Sequence, residues 1–334
     1  MIKAIIAFMC LVSLCAIAYA APTLTSASIS GDEIILSGSS FGEHADYNPS
    51  KSYLVYVTDN FDDGVINGNF TRVDALLDLT TSGQRTGSTY CVERTHATNS
   101  AGFGMSSSSV NEFFTCLWIK RQTDTIFEAS GQNKIVRIFT EDEGSSPYPN
   151  FTVGKKEFDG DRNHSDGVEN SGYGASFGYT TLYDDAAWHK VVVYFQPSTG
   201  IGVADGVVKV WFDDVLVRNV SNADTDDLGV NSYLGSWDVM GYYKGADKDC
   251  YYDDVTFNHT LARVRYRSAA GEVSDIQIPT SWSATAIECD INRAEVGGEV
   301  QVIDSNGDAS SWVVVTGNSS VKLSNIKLSN ITFN

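Results

Sequence analysis

The sequence predicts an all-β protein made of two sandwiches, one nested inside the other, and three observations carry that expectation. Phe and Tyr each occur 16 times and Gly 29 times, while no long stretch repeats with the period of a helix. Short alternating or apolar runs recur between turn signals. The first and last segments each read as part of a sandwich, whereas the middle has a different rhythm. The ends are therefore expected to build one unit around an inserted one. The stretch CYYDDVTFNHTLARVRY, beginning at Cys250, is where the last strand of the insertion runs directly into the resumed outer unit.

Residues 1–20 form a leader: Lys3, an uninterrupted apolar run, then the small-x-small sequence Ala18-Tyr19-Ala20. That pattern predicts export with cleavage after Ala20, leaving the chain secreted or at the cell surface. Cys15 would suit a lipoprotein, but Leu14 before it is larger than that processing usually tolerates. No later apolar run approaches the roughly 20 residues needed to span a bilayer. The chain carries 23 Lys and Arg against 42 Asp and Glu, a formal net charge of -19. Such a surface repels nucleic acid and anionic lipid at long range, and suits a neutral glycan or a cation such as Ca²⁺. A local basic cleft could still take a polyanion. Cys91, Cys116, Cys250 and Cys289 follow the leader. In an exported chain they permit two disulfides, and four cysteines allow three connectivities. Cys116, inside FFTCLWI, also reads as a buried thiol. Sequons at Asn69, Asn150, Asn163, Asn219 and Asn258 matter only in a glycosylating host.

In chain order, residues 21–47 supply two short strands joined at Gly31-Asp32. Two strands cannot bury a core alone, so this piece needs partners. Residues 48–260 form the insertion, whose size is typical of a jelly roll. Its strands are expected over Glu112–Lys120, Lys134–Phe139, Ala187–Gln196 and Val207–Val217, with turns at Asp205-Gly206 and Asp213-Asp214. Residues 261–317 resume the outer unit with strands over Asp275–Ile278, Ala286–Ile291, Glu299–Ile303 and Ser311–Val315. Gly297-Gly298 and Asn306-Gly307-Asp308 are its turn signals. The tail, 318–334, repeats LSNI and reads either as a last strand or as an exposed tether.

Gly38-Ser39-Ser40-Phe41-Gly42 resembles the G-x-x-F-G turn that ends the first hairpin of IPT/TIG domains, an Ig-like family. Trp282-Ser283 and Asn306-Gly307 resemble the remainder of that pattern. The resemblance implies a small Ig-like (IPT/TIG) sandwich formed by 21–47 and 261–317, acting as a scaffold or interaction module without catalytic residues. Inside the insertion, Trp188-His189-Lys190-Val191, the Asp205-Gly206 to Trp211 hairpin and the closing Tyr251-Tyr252-Asp253-Asp254-Val255 strand resemble the concanavalin A-like lectin/glucanase superfamily. The run NKIVRIF, which contains Arg137, is similar to secreted jelly-roll proteins related to polysaccharide lyases. These resemblances imply a jelly-roll β-sandwich. They leave chemistry open, because lectins, glycosidases, lyases and inert adhesin modules share that fold.

Three constellations are candidates for function. The acidic pairs bracketing the insertion, Asp62-Asp63 at its start and Asp254 near its end, should lie close in space and could supply oxygens to a structural Ca²⁺. The alternative is turn residues on a solvated edge, with acids paired to Arg263 or Arg265. The resemblance to lyases implies a group that neutralises a uronate carboxylate, met by Arg137 or Gln196, and a base for the C5 proton, met by Tyr194 or His189. Strand alternation puts Lys190, Tyr194 and Gln196 on one face, opposite His189. The alternative is core and rim, with Arg137 paired to Glu141 or Asp142. Trp237, Tyr242 and Tyr243 lie in a loop-rich stretch and are the best aromatic candidates for stacking on a sugar, the alternative being packing against the sheet. Trp188 and Trp211, inside apolar strands, read as core. No close pair of carboxylates stands on a clean strand as a retaining glycosidase needs, and no zinc spacing, phosphate loop or G-x-S-x-G elbow is present. The first expectation is a secreted, lectin-like carbohydrate-binding protein acting on extracellular or cell-surface polysaccharide. The runner-up is a lyase of uronate-containing glycans, and the third reading is a structural or adhesive protein. Whether the chain is an enzyme stays open.

Overall fold

The computed structural model describes residues 20–42, 44, 57–66, 70, 72–73, 77–94, 103–110, 112–121, 132–139, 150–156, 168–169, 186–196, 198–199, 203–223, 234–244, 250–258, 260–291 and 294–317. The expected leader core and the C-terminal tail lie outside them. No helix occurs among the described residues, and so none is long and apolar enough to cross a membrane. The chain opens with β1 (Thr23–Ser30), β2 (Glu33–Ser39), β3 (Val57–Asp59), β4 (Arg72–Val73), β5 (Leu77–Thr80) and β6 (Cys91–Arg94). It continues through β7 (Phe103–Val110), β8 (Phe113–Arg121), β9 (Gln132–Phe139), β10 (Asn150–Lys156), β11 (Val168–Glu169), β12 (Trp188–Gln196), β13 (Gly206–Phe212) and β14 (Val215–Ala223). The last strands are β15 (Leu234–Lys244), β16 (Cys250–Asn258), β17 (Arg263–Arg267), β18 (Val273–Gln277), β19 (Pro279–Trp282), β20 (Ala286–Asp290), β21 (Glu299–Ile303) and β22 (Val313–Gly317).

The two ends of the chain share one sheet. Its order is β18-β17-β21-β22-β1-β2-β20-β19, with β1 parallel to β22 and antiparallel to β2. Leu36, Phe41 and Ile287 near one end of this order pack in one cluster with Val264, Val300 and Val302 near the other, so the sheet wraps around a single core. Gly31 turns the first hairpin with φ 68, the left-handed region that glycine enters without a Cβ clash. Gly38 is required for a different reason. A Cβ there would lie 2.0 Å from the Thr23 carbonyl oxygen and 2.6 Å from the Phe41 ring. The glycine lets Phe41 fold back into the core, where it is fully buried. The strand expected over Asp275–Ile278 runs instead over Val273–Gln277, and Pro279, which has no N–H to continue a ladder, opens a separate strand.

The middle of the chain forms two sheets. One has the order β14-β13-β12-β8-β16-β6-β5 with β3 added on β16, and the other has six strands in the order β11-β10-β9-β15-β7-β4. Between them lies a cluster that includes Phe113, Leu117, Val193, Phe195 and Phe212 from the larger sheet and Val136 from the smaller. The hairpin between β13 and β14 turns on Asp213 and Asp214, both left-handed at φ 47 and 65, as a two-residue type I′ turn demands.

The larger sheet is covered on its other face as well. Phe114, Cys116, Val192 and Tyr194, the alternate residues of β8 and β12, pack with Leu261 of the connection into the outer unit. Beside them the contact becomes ionic. Asp275 on β18 is fully buried and takes Arg263 Nε at 2.9 Å, Arg265 Nε at 3.0 Å and Lys190 Nζ at 3.2 Å. Lys190 and Arg265 also reach Asp214 at 2.6 and 2.5 Å. Burial alone would push the Asp275 carboxyl up, but Arg265, Lys190 and Arg263 together outweigh it and hold that carboxyl well below the usual range. Cys91, Cys116 and Cys289 are buried free thiols, and the Cys250 side chain lies outside the described ones.

Asp275→Ala should lower unfolding stability by about 3–5 kcal/mol, because it strands buried cations without their counter-charge. Urea denaturation measures this, and a loss below about 1 kcal/mol would show that the cluster is not what joins the units. A depressed carboxyl stabilises the fold above its unfolded value of about 3.9 and loses that contribution as pH falls through the folded one. The wild type is accordingly expected to keep the Asp275 contribution into strong acid, below the ordinary carboxylate range.

Candidate functional site

The sequence-derived residues divide between the two sheets of the inserted sandwich. His189, Tyr194 and Gln196 lie on β12 of the larger sheet, while Arg137 on β9 and Trp237, Tyr242 and Tyr243 on β15 lie in the six-stranded one. Tyr194 is buried on the face that packs with Leu261, and its hydroxyl donates to Glu112 Oε2 at 3.0 Å. Burial, then the Glu112 charge and the hydrogen bond to it, push the phenol well above its ordinary value. That is the opposite of the shift a base acting near neutrality needs. Gln196 is half-buried at the end of the same strand. His189 sits at the start of β12 with its ring stacked on Phe212, centroids 5.0 Å apart. Its Nδ1 lies 2.7 Å from Asp213 Oδ2, and the other Asp213 oxygen accepts the Lys190 N–H at 2.8 Å. The imidazole tautomer with its proton on Nδ1 donates to that carboxylate oxygen.

The strands that carry the acidic brackets lie side by side, because β3 pairs with β16 and sets Asp59 opposite Val255. Their carboxylates are committed locally. Asp62 Oδ1 accepts the Thr89 N–H at 2.5 Å and Asp63 Oδ1 accepts the Val65 N–H at 2.9 Å. Asp254 stands in a bulge of β16 with φ 47, buried, where it receives Arg85 and, at 3.3 Å, the Ser274 hydroxyl. Arg85 also reaches Glu272 at 3.2 Å and lies 4.5 Å over the Trp118 ring. Among the described residues, no three of His, Cys, Asp and Glu converge so as to hold a metal ion. Arg263 and Arg265, the partners first considered for the bracketing acids, turn to Asp275 instead.

Sequence reasoning passed over the buried Arg85 and Asp275 and the exposed Asp214 that joins the ions of Asp275. A signal was present in β8 and β12, which are apolar at successive positions (Phe113-Phe114, Val191-Val192-Val193). Strands apolar on both faces are covered on both faces, so a Lys190 among them must meet a carboxylate.

The six-stranded sheet presents a different surface. In register across five strands, Thr152, Arg137, Asp238, Gly104 and Arg72 form one row. The next row is Val153, Val136, Val239, Phe103 and Val73. Val136 is fully buried in the core between the sheets, so by strand alternation the Arg137 row belongs to the opposite, outer face. Trp237 falls in register with Ile138 and Met105, in a row of the same parity as Val136. Tyr242 and Tyr243 follow a bulge after Val239, opposite Lys134 and Asn133. Side chains of these residues other than Val136 lie outside the described ones. The structure therefore gathers Arg137, Trp237, Tyr242 and Tyr243 onto neighbouring strands, and sets Arg137 on a different sheet from His189, Tyr194 and Gln196.

These sheets define an all-β protein whose first and last strands share one sheet while the strands between them form two others. No family model matches the chain, and no curated protein matches it. Among solved structures it is similar to an endo-β-1,4-glucuronan lyase from the fungus Trichoderma reesei, at 16% identity and a TM-score of 0.37 over 56% of this chain and 87% of that one. A complex of the alginate lyase Aly36B with an alginate trisaccharide is similar at 13% identity and a TM-score of 0.41, over 61% of this chain and 98% of that one. A cellulose-induced protein, Cip1, is similar at 12% identity and a TM-score of 0.40, over 61% of this chain and 97% of that one.

Tyr194→Phe is expected to lower stability by about 1 kcal/mol through loss of the bond to Glu112. Thermal denaturation checks this. A variant of unchanged stability that lost turnover of a glycan would instead assign the phenol to chemistry.

Proposed function

We propose that this protein is an exported carbohydrate-binding protein that holds a polysaccharide against the outer face of its six-stranded sheet. The observation that carries the reading is the Thr152-Arg137-Asp238-Gly104-Arg72 row, a run of hydrogen-bonding and charged residue types on a sheet face turned away from the core. The outer unit packs on the far side of the sandwich, against the larger sheet. Hydroxyl-bearing and charged residue types suit the dense hydroxyls of a sugar chain, and a row that crosses five strands suits an extended polymer. Export rests on the N-terminal apolar stretch ending at Ala20.

Binding is favoured over β-elimination because that reaction needs a carboxylate neutraliser and a base within hydrogen-bond reach of one sugar. Arg137 and Tyr194 lie on strands of different sheets, and Tyr194 faces the outer unit.

The test is affinity electrophoresis of the protein through gels containing neutral or uronate polysaccharides, with ultraviolet absorbance followed in parallel for the double bond of an elimination product. Retention without a rise in absorbance is expected, and Arg137→Ala should weaken retention by about fivefold, the equivalent of roughly 1 kcal/mol. Rising absorbance would replace binding with lyase chemistry. Lack of retention on every polysaccharide would leave a structural or adhesive role.

A further inference from the structure

We infer that Asn219 is the acceptor of an N-linked glycan that caps the open edge of the larger sheet, and that the fold closes the sequon at Asn258 to the same modification. Asn219-Val220-Ser221 and Asn258-His259-Thr260 both have the acceptor form Asn-x-Ser/Thr, with no Pro in the middle. The strand order puts them at opposite ends of one register row. From β16 to β14 that row reads Asn258, Phe114, Tyr194, Lys209 and Asn219. Four strand spacings separate the two asparagines, about 19 Å. Exposure rises along the row. Asn258 and Phe114 are fully buried and Tyr194 is buried. Lys209 is half-buried, its Nζ 6.0 Å from the centre of the Tyr194 ring, and Asn219 is exposed. The packing of Phe114 and Tyr194 with Leu261 therefore ends before the row reaches β14.

Asn258 is used in joining the two units. Its Nδ2 donates to the Ala262 carbonyl at 3.1 Å, and Thr260, the third residue of the same sequon, accepts the Ala262 N–H on its hydroxyl at 3.2 Å. A close-packed interior has no room for a sugar ring, so a glycan on Asn258 requires the junction to open. Asn219 and Ser221 are both exposed, and a glycan there displaces nothing. The donor is a lipid diphosphate-linked oligosaccharide. The bond from its anomeric carbon to the diphosphate oxygen breaks and a bond from that carbon to Asn219 Nδ2 forms. The lipid diphosphate leaves with the electron pair, and Nδ2 gives one proton to the transferring enzyme.

The position within the sheet says what such a glycan does. β14 stands at the end of the strand order, and Asn219 is the central residue of its nine. At the start of the strand Val215 is 64% and Leu216 45% exposed. A long edge strand carrying exposed apolar residues is a template for a strand of another copy. A bulky, hydrated oligosaccharide at its centre blocks that approach.

The whole chain would be expressed behind a secretion signal of a eukaryotic host, a route that supplies donor and transferring enzyme. Enzymatic glycan release in heavy-oxygen water turns each glycan-bearing Asn into an oxygen-labelled Asp, which peptide mass spectrometry reads. Label is expected at position 219 and none at position 258 of the folded, secreted protein. An unlabelled 219 or a labelled 258 would overturn the inference. Ser221→Ala removes the sequon and leaves Asn219 in place. It should lose the label at 219 and, in sedimentation velocity, self-associate about tenfold more tightly than the glycan-bearing wild type. Equal association of the two proteins would overturn the capping role. Thermal melting shows that the variant is folded, and Asn219→Gln supplies the same comparison if Ser221→Ala is not.

Discussion

Asp275 is the point at which the two units of this protein are made into one. A carboxylate fully removed from water is costly unless its charge is matched, and here Arg263, Arg265 and Lys190 match it from two different sheets. Two of those cations come from the outer unit and the third from the inserted sandwich. Separating the units would break the Lys190–Asp275 and Arg265–Asp214 pairs that cross between them. The Asp213-Asp214 turn is drawn into the same arrangement, because Asp214 completes the shells of Lys190 and Arg265. Phe114, Cys116, Val192 and Leu261 add an apolar patch beside the ions.

That contact determines how the bracketing acids are used. The insertion must leave and re-enter the outer unit at neighbouring points, so the strands carrying its first and last acidic pairs lie side by side. Once the outer unit covers the larger sheet, Asp254 falls inside the contact and takes Arg85, with Ser274 beyond it. Asp62 and Asp63 remain at the rim, holding the backbone of their own turn and of Thr89. Asp62 and Asp254 find partners in the loop holding Arg85 and Thr89, which carries no spacing signal in the sequence.

The six-stranded sheet escapes this constraint because it lies on the other side of the core. Its rows alternate between a set that contains the core residue Val136 and a set, polar for the most part, that contains Arg137 and also Phe139. A sheet with an apolar face and a mainly polar one is the arrangement expected of antiparallel strands facing a core on one side only. The proposed ligand face thus follows from which sheet the outer unit covers, and the mix of charges along its row follows from strand order. Arg72 and Arg137 are 65 positions apart in the chain and meet in one row only because β7 and β15 lie between their strands.

The amino-acid sequence by itself determined the all-β class, the main strands of the insertion, the turns at Gly31-Asp32 and Asp213-Asp214, and the face shared by Lys190 and Tyr194. All of these depend on local properties: alternation with period 2, the left-handed freedom of Gly and Asp in turns, and the tight glycine that lets Phe41 fold back. It also held a hint that β8 and β12 are covered twice, since both are apolar at consecutive positions. Only the tertiary structure decided which side chains are paired. It turned Tyr194 from a candidate base into a buried donor to Glu112 and put Arg137 on another sheet, with Trp237 in a row of the same parity as the core residue Val136. The reason is that strand order is set by contacts between residues far apart in sequence. A side chain's charge is visible in the chain, but its counter-charge becomes visible only when the sheets stack.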